Sequence, residues 1–232
     1  MNMTLQAFRR LVNLSKQEVG RVFFTQYMDR MRMKRDSLAV RNLMKIVDAT
    51  LVLSKSKGFQ AMSLQDLSTE TGLGLASLHT YIRNKDDLLQ LIQGFGQMMN
   101  ARILLDQLKD IHGPLEQLRV AVRTQLLLSE ILQDWFFFSY METKHMNAEE
   151  RQQAMQTDLS AEELFTNIIH SGQRQGVFRD ADPQLSAALL QAIMQDWFLK
   201  RWKYRQRQVD VETYITFVQA LFERHLLAQS PA

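Results

Sequence analysis

The stretch TGLGLASLHTYIRNKDDL, Thr71 to Leu88, sets two glycines two residues apart, then a short run with helical spacing, then an acidic restart. It is either punctuation between core helices or a short helix held out to touch something. Leu64 to Glu70 as one helix, Thr71–Gly72–Leu73 as a turn and Gly74 to Ile82 as a second helix give the arithmetic of a helix-turn-helix. Two helices meeting steeply need a turn residue that tolerates positive φ, and Gly72 supplies it. Leu67, Leu73 and Leu78 fall where the helices pack, and Ser68 is small where they cross. The second helix keeps Leu78 and part of Tyr81 for the interior. Ser77, His79 and Thr80 are left outward, with Leu75 near the entry. Small polar groups on an outer face suit a helix laid into a major groove. Lys85, just past the helix end, is placed for a phosphate.

The longer run IVDATLVLSKSKGFQAMSLQDLSTETGLGLASLHTYIRNKDDLLQLI, Ile46 to Ile92, resembles the DNA-binding domain of TetR-type transcriptional regulators. Ala49, Gly58–Phe59, Ser63, Leu67, Gly72, Leu78, Tyr81, Lys85 and Leu88 carry the resemblance. It implies that the helix-turn-helix reads DNA while the helical remainder dimerises and binds a small molecule. By position it implies that Ser63, Tyr81 and Lys85 hold phosphates, with Arg41 or Lys45 nearby, and that Ser77, His79 and Thr80 face bases. The family usually has tyrosine where His79 stands, phenylalanine where Ile82 stands, and serine or threonine at Gly74. Leu75 is apolar where polar or basic residues are frequent. These departures leave the expected fold intact, but they remove the usual cap of the reading helix and bear on base preference.

Charge is consistent with that division. Residues 1–93 hold 14 Lys/Arg against 8 Asp/Glu, and residues 94–232 hold 14 against 17. A basic front half suits a polyanion partner. The 232 residues are 46% hydrophobic and 23% charged, with three prolines and nine glycines. That composition fits an ordinary core and disfavours a many-turned β architecture. Without cysteine there is no disulfide framework, thiol nucleophile or thiolate metal site, which permits a cytoplasmic location. The start, MNMTLQAFRRLVNL, lacks the pattern of a signal peptide. No apolar run approaches the roughly 20 residues that span a bilayer, so no membrane partner is expected.

Nearly everything else reads as helix. Ser63 and Asn84 are N-caps, the second followed by Asp86 and Asp87 in a helix running to about Asp110. Pro114 starts another. Asn147 with Glu150, and Ser160 with Glu163, fit capping boxes. Gly176 is a stop, Asp182–Pro183 and Asp210 are starts. The expected fold is therefore all-α. Residues 1–37 form an N-terminal extension, 38–93 a three-helix DNA-binding domain of the helix-turn-helix kind, and 94–232 a helical-bundle domain for ligand binding and dimerisation.

Two readings stay open for the extension. Val19, Val22, Phe23, Tyr27 and Met31 share a face of a packing helix, whereas Arg30, Arg32, Lys34 and Arg35 suit a basic arm on DNA. In the back half, WFFFSYMETKHM carries more apolar surface than one helix face needs. Trp135, Phe138 and Met141, with Trp197 and Trp202, are candidates to line a ligand pocket; plain core or a dimer interface is the alternative. KRWKYRQR, Lys200 to Arg207, is either a solvated helix end or a site for a phosphorylated ligand. YMETKHM, GQRQGVFRDADP and DWFLKRWKYR resemble a subset of the family that senses acyl groups or acyl-CoA. Leu189, Ile193 and Phe217, on helices about Pro183–Arg207 and Asp210–Ala228, are expected at a dimer interface, where the resemblance implies a four-helix bundle. The five histidines show no paired ligand spacing, so no metal, cofactor or catalytic residue is expected.

The function so expected is a homodimeric repressor on a palindromic double-stranded operator, released by a small hydrophobic effector. An all-helical lipid or acyl carrier that does not bind DNA is the alternative.

Overall fold

The computed structural model describes residues 4–30, 37–142 and 148–228, and these form eleven helices with one isolated antiparallel bridge between Phe178 and Leu227. In order they are α1 Leu5–Arg30, α2 Ser37–Lys57, α3 Leu64–Thr71, α4 Leu75–Tyr81, α5 Lys85–Leu108, α6 Pro114–Ile131, α7 Gln133–Glu142, α8 Ala148–Arg174, α9 Pro183–Leu199, α10 Arg201–Gln206 and α11 Val211–Leu226. The chain divides into two compact units, Met1–Arg102 with Asp134–Glu150, and Ile103–Gln133 with Arg151–Ala232. No described helix is long and apolar enough to cross a membrane.

In the first unit α2 buries Leu43, Ile46, Val47, Thr50 and Leu53, a stripe at helical spacing. α3 and α4 close on it through Leu67 and Leu78, both fully buried. α1 is a packing helix. It buries Phe8, Val12, Val19, Phe24, Tyr27 and Met28; of the expected face Val19 and Tyr27 are buried, Phe23 is half-buried and Val22 is 50% exposed. Met31, Arg32, Lys34 and Arg35 lie outside the described residues. α7 lies so close to α5 that a Cβ on Gly96 would stand 1.9 Å from the Trp135 ring. The same tryptophan donates from Nε1 to the Ile92 carbonyl at 3.1 Å. Burial of α7 is one-sided, however: Phe137, Tyr140 and Met141 are exposed, although its sequence is apolar all round.

In the second unit α6 packs on α9 and α11. α11 buries Val211, Tyr214, Ile215, Val218, Phe222 and Leu226. Across its edge Arg119 forks onto Glu223 at 2.7 and 2.9 Å, and Arg123 onto Glu212 at 2.7 and 2.8 Å. The expected caps form: Asn84, Asp182 and Asp210 each accept from the amide three residues on, at 2.8, 2.9 and 2.8 Å.

Two boundaries differ from the sequence reading. Ser160 does not open a helix; α8 runs through it, and its hydroxyl bonds back to the Gln156 carbonyl at 2.8 Å, as serine does inside helices. Asn147 lies outside the described residues. The expected single helix from Pro183 to Arg207 breaks at Lys200, whose ψ is 39°. Around the break Tyr214 donates to the Ile193 carbonyl at 2.7 Å, while Lys200, Lys203 and Tyr204 all fold back onto Asp196.

Candidate nucleic-acid interface

The candidate interface is built from the residues around the turn. Ser63, with extended backbone, accepts from the Asp66 amide at 3.1 Å, and Asp66 accepts from the Ser63 amide at 2.9 Å. This reciprocal box satisfies two of the orphan donors of α3. Lys57 of α2 reaches the same carboxylate at 2.5 Å. Its hydrogen bond, with those from Ser63, holds Asp66 well below the usual carboxylate range. Gly72 ends α3 with φ +69°. Ser68 donates to the Leu73 carbonyl at 2.7 Å, and the Leu73 amide donates to Thr71 Oγ1 at 3.2 Å, which fixes the turn from inside.

α4 starts at Gly74 with no side-chain cap. Leu78 is buried beneath it, and Leu75, Ala76, His79 and Thr80 are exposed. Ser77, expected outward, is half-buried, and its carbonyl accepts from Thr80 Oγ1 at 2.7 Å. Tyr81 is buried, its hydroxyl accepting from Asn42 Nδ2 at 2.9 Å. That bond sets the end of α4 against the start of α2, whose Arg41 and Lys45, one turn apart, are both exposed. Lys85 Nζ donates to the carbonyls of Phe59 and Gln60, so the start of α5 is tied to the loop that leads into Ser63.

All eight expected DNA-contact residues thus belong to the first unit. Arg41, Lys45, Ser63, His79 and Thr80 are exposed; Lys85 and Ser77 are half-buried and Tyr81 is buried. Two organising residues were missed by the sequence reading, Asn42 and Arg83. Asn42 has no local signal, being an asparagine inside an apolar helix stripe. Arg83 does, since Asp87 lies four residues on and accepts from it at 2.8 and 2.9 Å.

The five candidates for ligand contact are divided between the units. Trp135 and Phe138 are buried in the first, Phe138 edge-on to Phe59 at 5.3 Å, and Met141 is 37% exposed. In the second, Trp197 is fully buried, stacked on Tyr214 at 4.7 Å and beneath the Arg201 guanidinium at 4.0 Å. Trp202 is 67% exposed. Of the basic run, Arg201 pairs with Glu130 at 2.7 Å, and Lys200 and Lys203 pair with Asp196. Burial raises the Asp196 carboxyl, but hydrogen bonds from Lys200, Lys203 and Tyr204 outweigh it and hold the group well below the usual range.

Among the described residues, one serine lies within hydrogen-bond reach of a histidine ring. Ser186 Oγ lies 3.2 Å from His225 Nε2, and Arg179 Nη2 lies 2.9 Å from Nδ1. Arginine can only donate, so Nδ1 accepts and the neutral ring carries its proton on Nε2, toward the serine. A ring in that tautomer cannot take the serine's proton, so the pair is no nucleophile–base dyad.

Residues 112–207 match the family model described as the tetracyclin repressor-like, C-terminal domain. No curated protein matches the chain in sequence. Among solved structures, AibR in complex with isovaleryl coenzyme A and operator DNA is 22% identical with a TM-score of 0.69, over 78% of this chain and 98% of that one. A transcriptional regulator from Saccharomonospora viridis in complex with choline is 20% identical with a TM-score of 0.71, over 81% and 98%. A tetR-family regulatory protein from Rhodococcus RHA1 is 17% identical with a TM-score of 0.72, over 82% and 98%. At these identities the likeness is one of fold.

Proposed function

We propose that this chain, a member of the TetR family by its C-terminal domain and its fold, is a homodimeric repressor that binds a palindromic operator and is released by a small hydrophobic effector. The observation that carries the reading is the capped α3–Gly72–α4 unit, which buries Leu67 and Leu78 and turns His79 and Thr80 outward. His79 and Thr80 are assigned to base edges, with Ser77 at the margin of that face. Arg41, Lys45, Ser63 and Lys85 are assigned to phosphates, and buried Tyr81 acts by fixing α4 to α2.

Two reading helices must stand about 34–36 Å apart to enter successive major grooves, which requires a dimer. Leu185 and Leu189 on α9, and Phe217 and Leu221 on α11, are large exposed apolar side chains suited to its interface. An effector that favours a different spacing weakens operator binding through its differential affinity for the two states. That AibR was crystallised with isovaleryl coenzyme A and operator DNA supports an acyl-type effector. Trp135, Phe138 and Met141 in the first unit, and separately Trp197 in the second, remain the residues proposed for effector contact.

The test is binding of wild-type protein to duplexes selected from a random pool, across a salt series, followed by mass spectrometry of co-purified small molecules. Selected duplexes with half-site symmetry and a steep salt slope are expected. An enriched acyl compound without any DNA binding would instead identify an acyl carrier.

A further inference from the structure

α1 lies outside the minimal helix-turn-helix, and its C-terminal third reaches two elements at once. Tyr27 Oη donates to the Tyr81 carbonyl at 3.0 Å in a buried bond. One turn earlier, Phe24 stacks on Phe95 of α5 with ring centroids 5.0 Å apart. The Phe23 ring sits so close over Gly94 that a Cβ there would stand 2.9 Å from it. Near its middle α1 is held to α2 by Lys16 on Asp48 at 2.7 Å.

The Tyr81 carbonyl is the last of α4. The chain leaves the helix at Ile82, with φ −137° and ψ 131°, so no following helical turn supplies an amide to it. A buried carbonyl at a helix end needs a partner. α4 has seven residues and no side-chain cap at Gly74, so its own ladder is short and one end lacks reinforcement. Its position is therefore set at the C-terminal end, where Asn42 holds the Tyr81 side chain and Tyr27 holds the Tyr81 backbone.

We propose that α1 is a strap that positions the reading helix, with Tyr27 as the positioning residue and Gly94 as the seat for the strap on α5. Tyr27 touches no DNA in this scheme; it sets the angle at which His79 and Thr80 are presented. The inference rests on the DNA-binding reading above. It differs from a basic arm, because the residue that matters is a buried hydroxyl and not a surface cation.

The experiment uses full-length protein, the duplex selected on wild type and a scrambled duplex of equal length. Tyr27→Phe removes only the hydroxyl. Expected is a rise in Kd for the selected duplex of about five- to tenfold, the scale of one lost hydrogen bond. Affinity for the scrambled duplex stays unchanged, and amide exchange quickens across residues 78–82. Gly94→Ala, which displaces the Phe23 ring, should move the same ratio in the same direction. Simple loss of folded protein would lower both affinities together and leave their ratio fixed, which would overturn the proposal, as would wild-type exchange and ratio in both variants. Should Tyr27→Phe fail to fold, Gly94→Ala decides alone by the same ratio. A wild-type chain that binds no DNA ends the DNA-binding reading, and is recognised before any variant is compared.

Discussion

The ammonium of Lys85 stands 2.6 Å from the carbonyl oxygen of Gln60 and bridges to that of Phe59 at 3.1 Å. Two of its three protons are spent on the loop before α3, and one remains for an outside acceptor. Lys85→Ala should therefore weaken DNA binding similarly across sequences and lower the magnitude of the log–log salt slope by about 1. Titrations at several salt concentrations check this; a folded variant with the wild-type slope would remove Lys85 from the phosphate set.

His79 is exposed on α4, away from the Leu78 core. His79→Ala is expected to change which duplexes are selected, because base-edge contacts specify while phosphate contacts position. Selection repeated on the variant reads this directly. The same preferred sequence at uniformly lower affinity would place His79 off the bases.

The proposed dimer should come apart when charge enters its apolar face. Leu189 is 53% exposed and Phe217 65% exposed in the single chain, so neither substitution disturbs a core. Leu189→Asp with Phe217→Asp is expected to sediment as a folded monomer at micromolar concentration and to lose operator binding. A variant that remains dimeric would move the interface elsewhere.

Gly96→Ala tests the packing of α5 on α7. A Cβ 1.9 Å from the indole of Trp135 has no room, and the ring is held by its bond to Ile92. Overpacking of this kind costs about 1–3 kcal/mol, readable as a lower urea midpoint.

Asp66 gives the α2–α3 junction an acid dependence. Its carboxyl is held below the usual range by Lys57 first and then by Ser63, so the unfolded chain takes up the proton at higher pH than the folded one. The contribution is whole above about pH 4, the ordinary carboxylate value, and is lost as pH falls through the folded value. Melting temperature should fall with pH in that window, and Asp66→Asn should flatten the fall.

The helix-turn-helix was legible because each of its parts is a local signal. The cap at Ser63, the positive φ at Gly72 and the restart at Asn84 are all found as read. Apart from Arg83, whose partner Asp87 is four residues on, what escaped the sequence reading depended on partners distant in sequence. Asn42 and Tyr27 act through Tyr81, 39 and 54 residues away, and neither spacing leaves a local mark. The break at Lys200 was hidden for the same reason. The residues before it keep helical spacing, and the side chain packed beside it, Tyr214 on the Ile193 carbonyl, comes from 21 residues away. Periodicity left α7 open between core, pocket lining and interface, and the fold covers one of its sides. Effector-lining residues stay the least legible, since core and pocket draw on the same side chains.

The short α4 is held ahead of its first residue by Gly72 and at its last, Tyr81, by Asn42 and Tyr27. One residue inserted ahead of Leu78 would rotate everything downstream by about 100°, carrying Leu78 into the exposed setting of His79 and Tyr81 off its partners. Length is therefore frozen between the turn and Tyr81. On the proposed reading, a change of operator is expected through side chains exchanged at exposed Leu75, Ala76, His79 and Thr80.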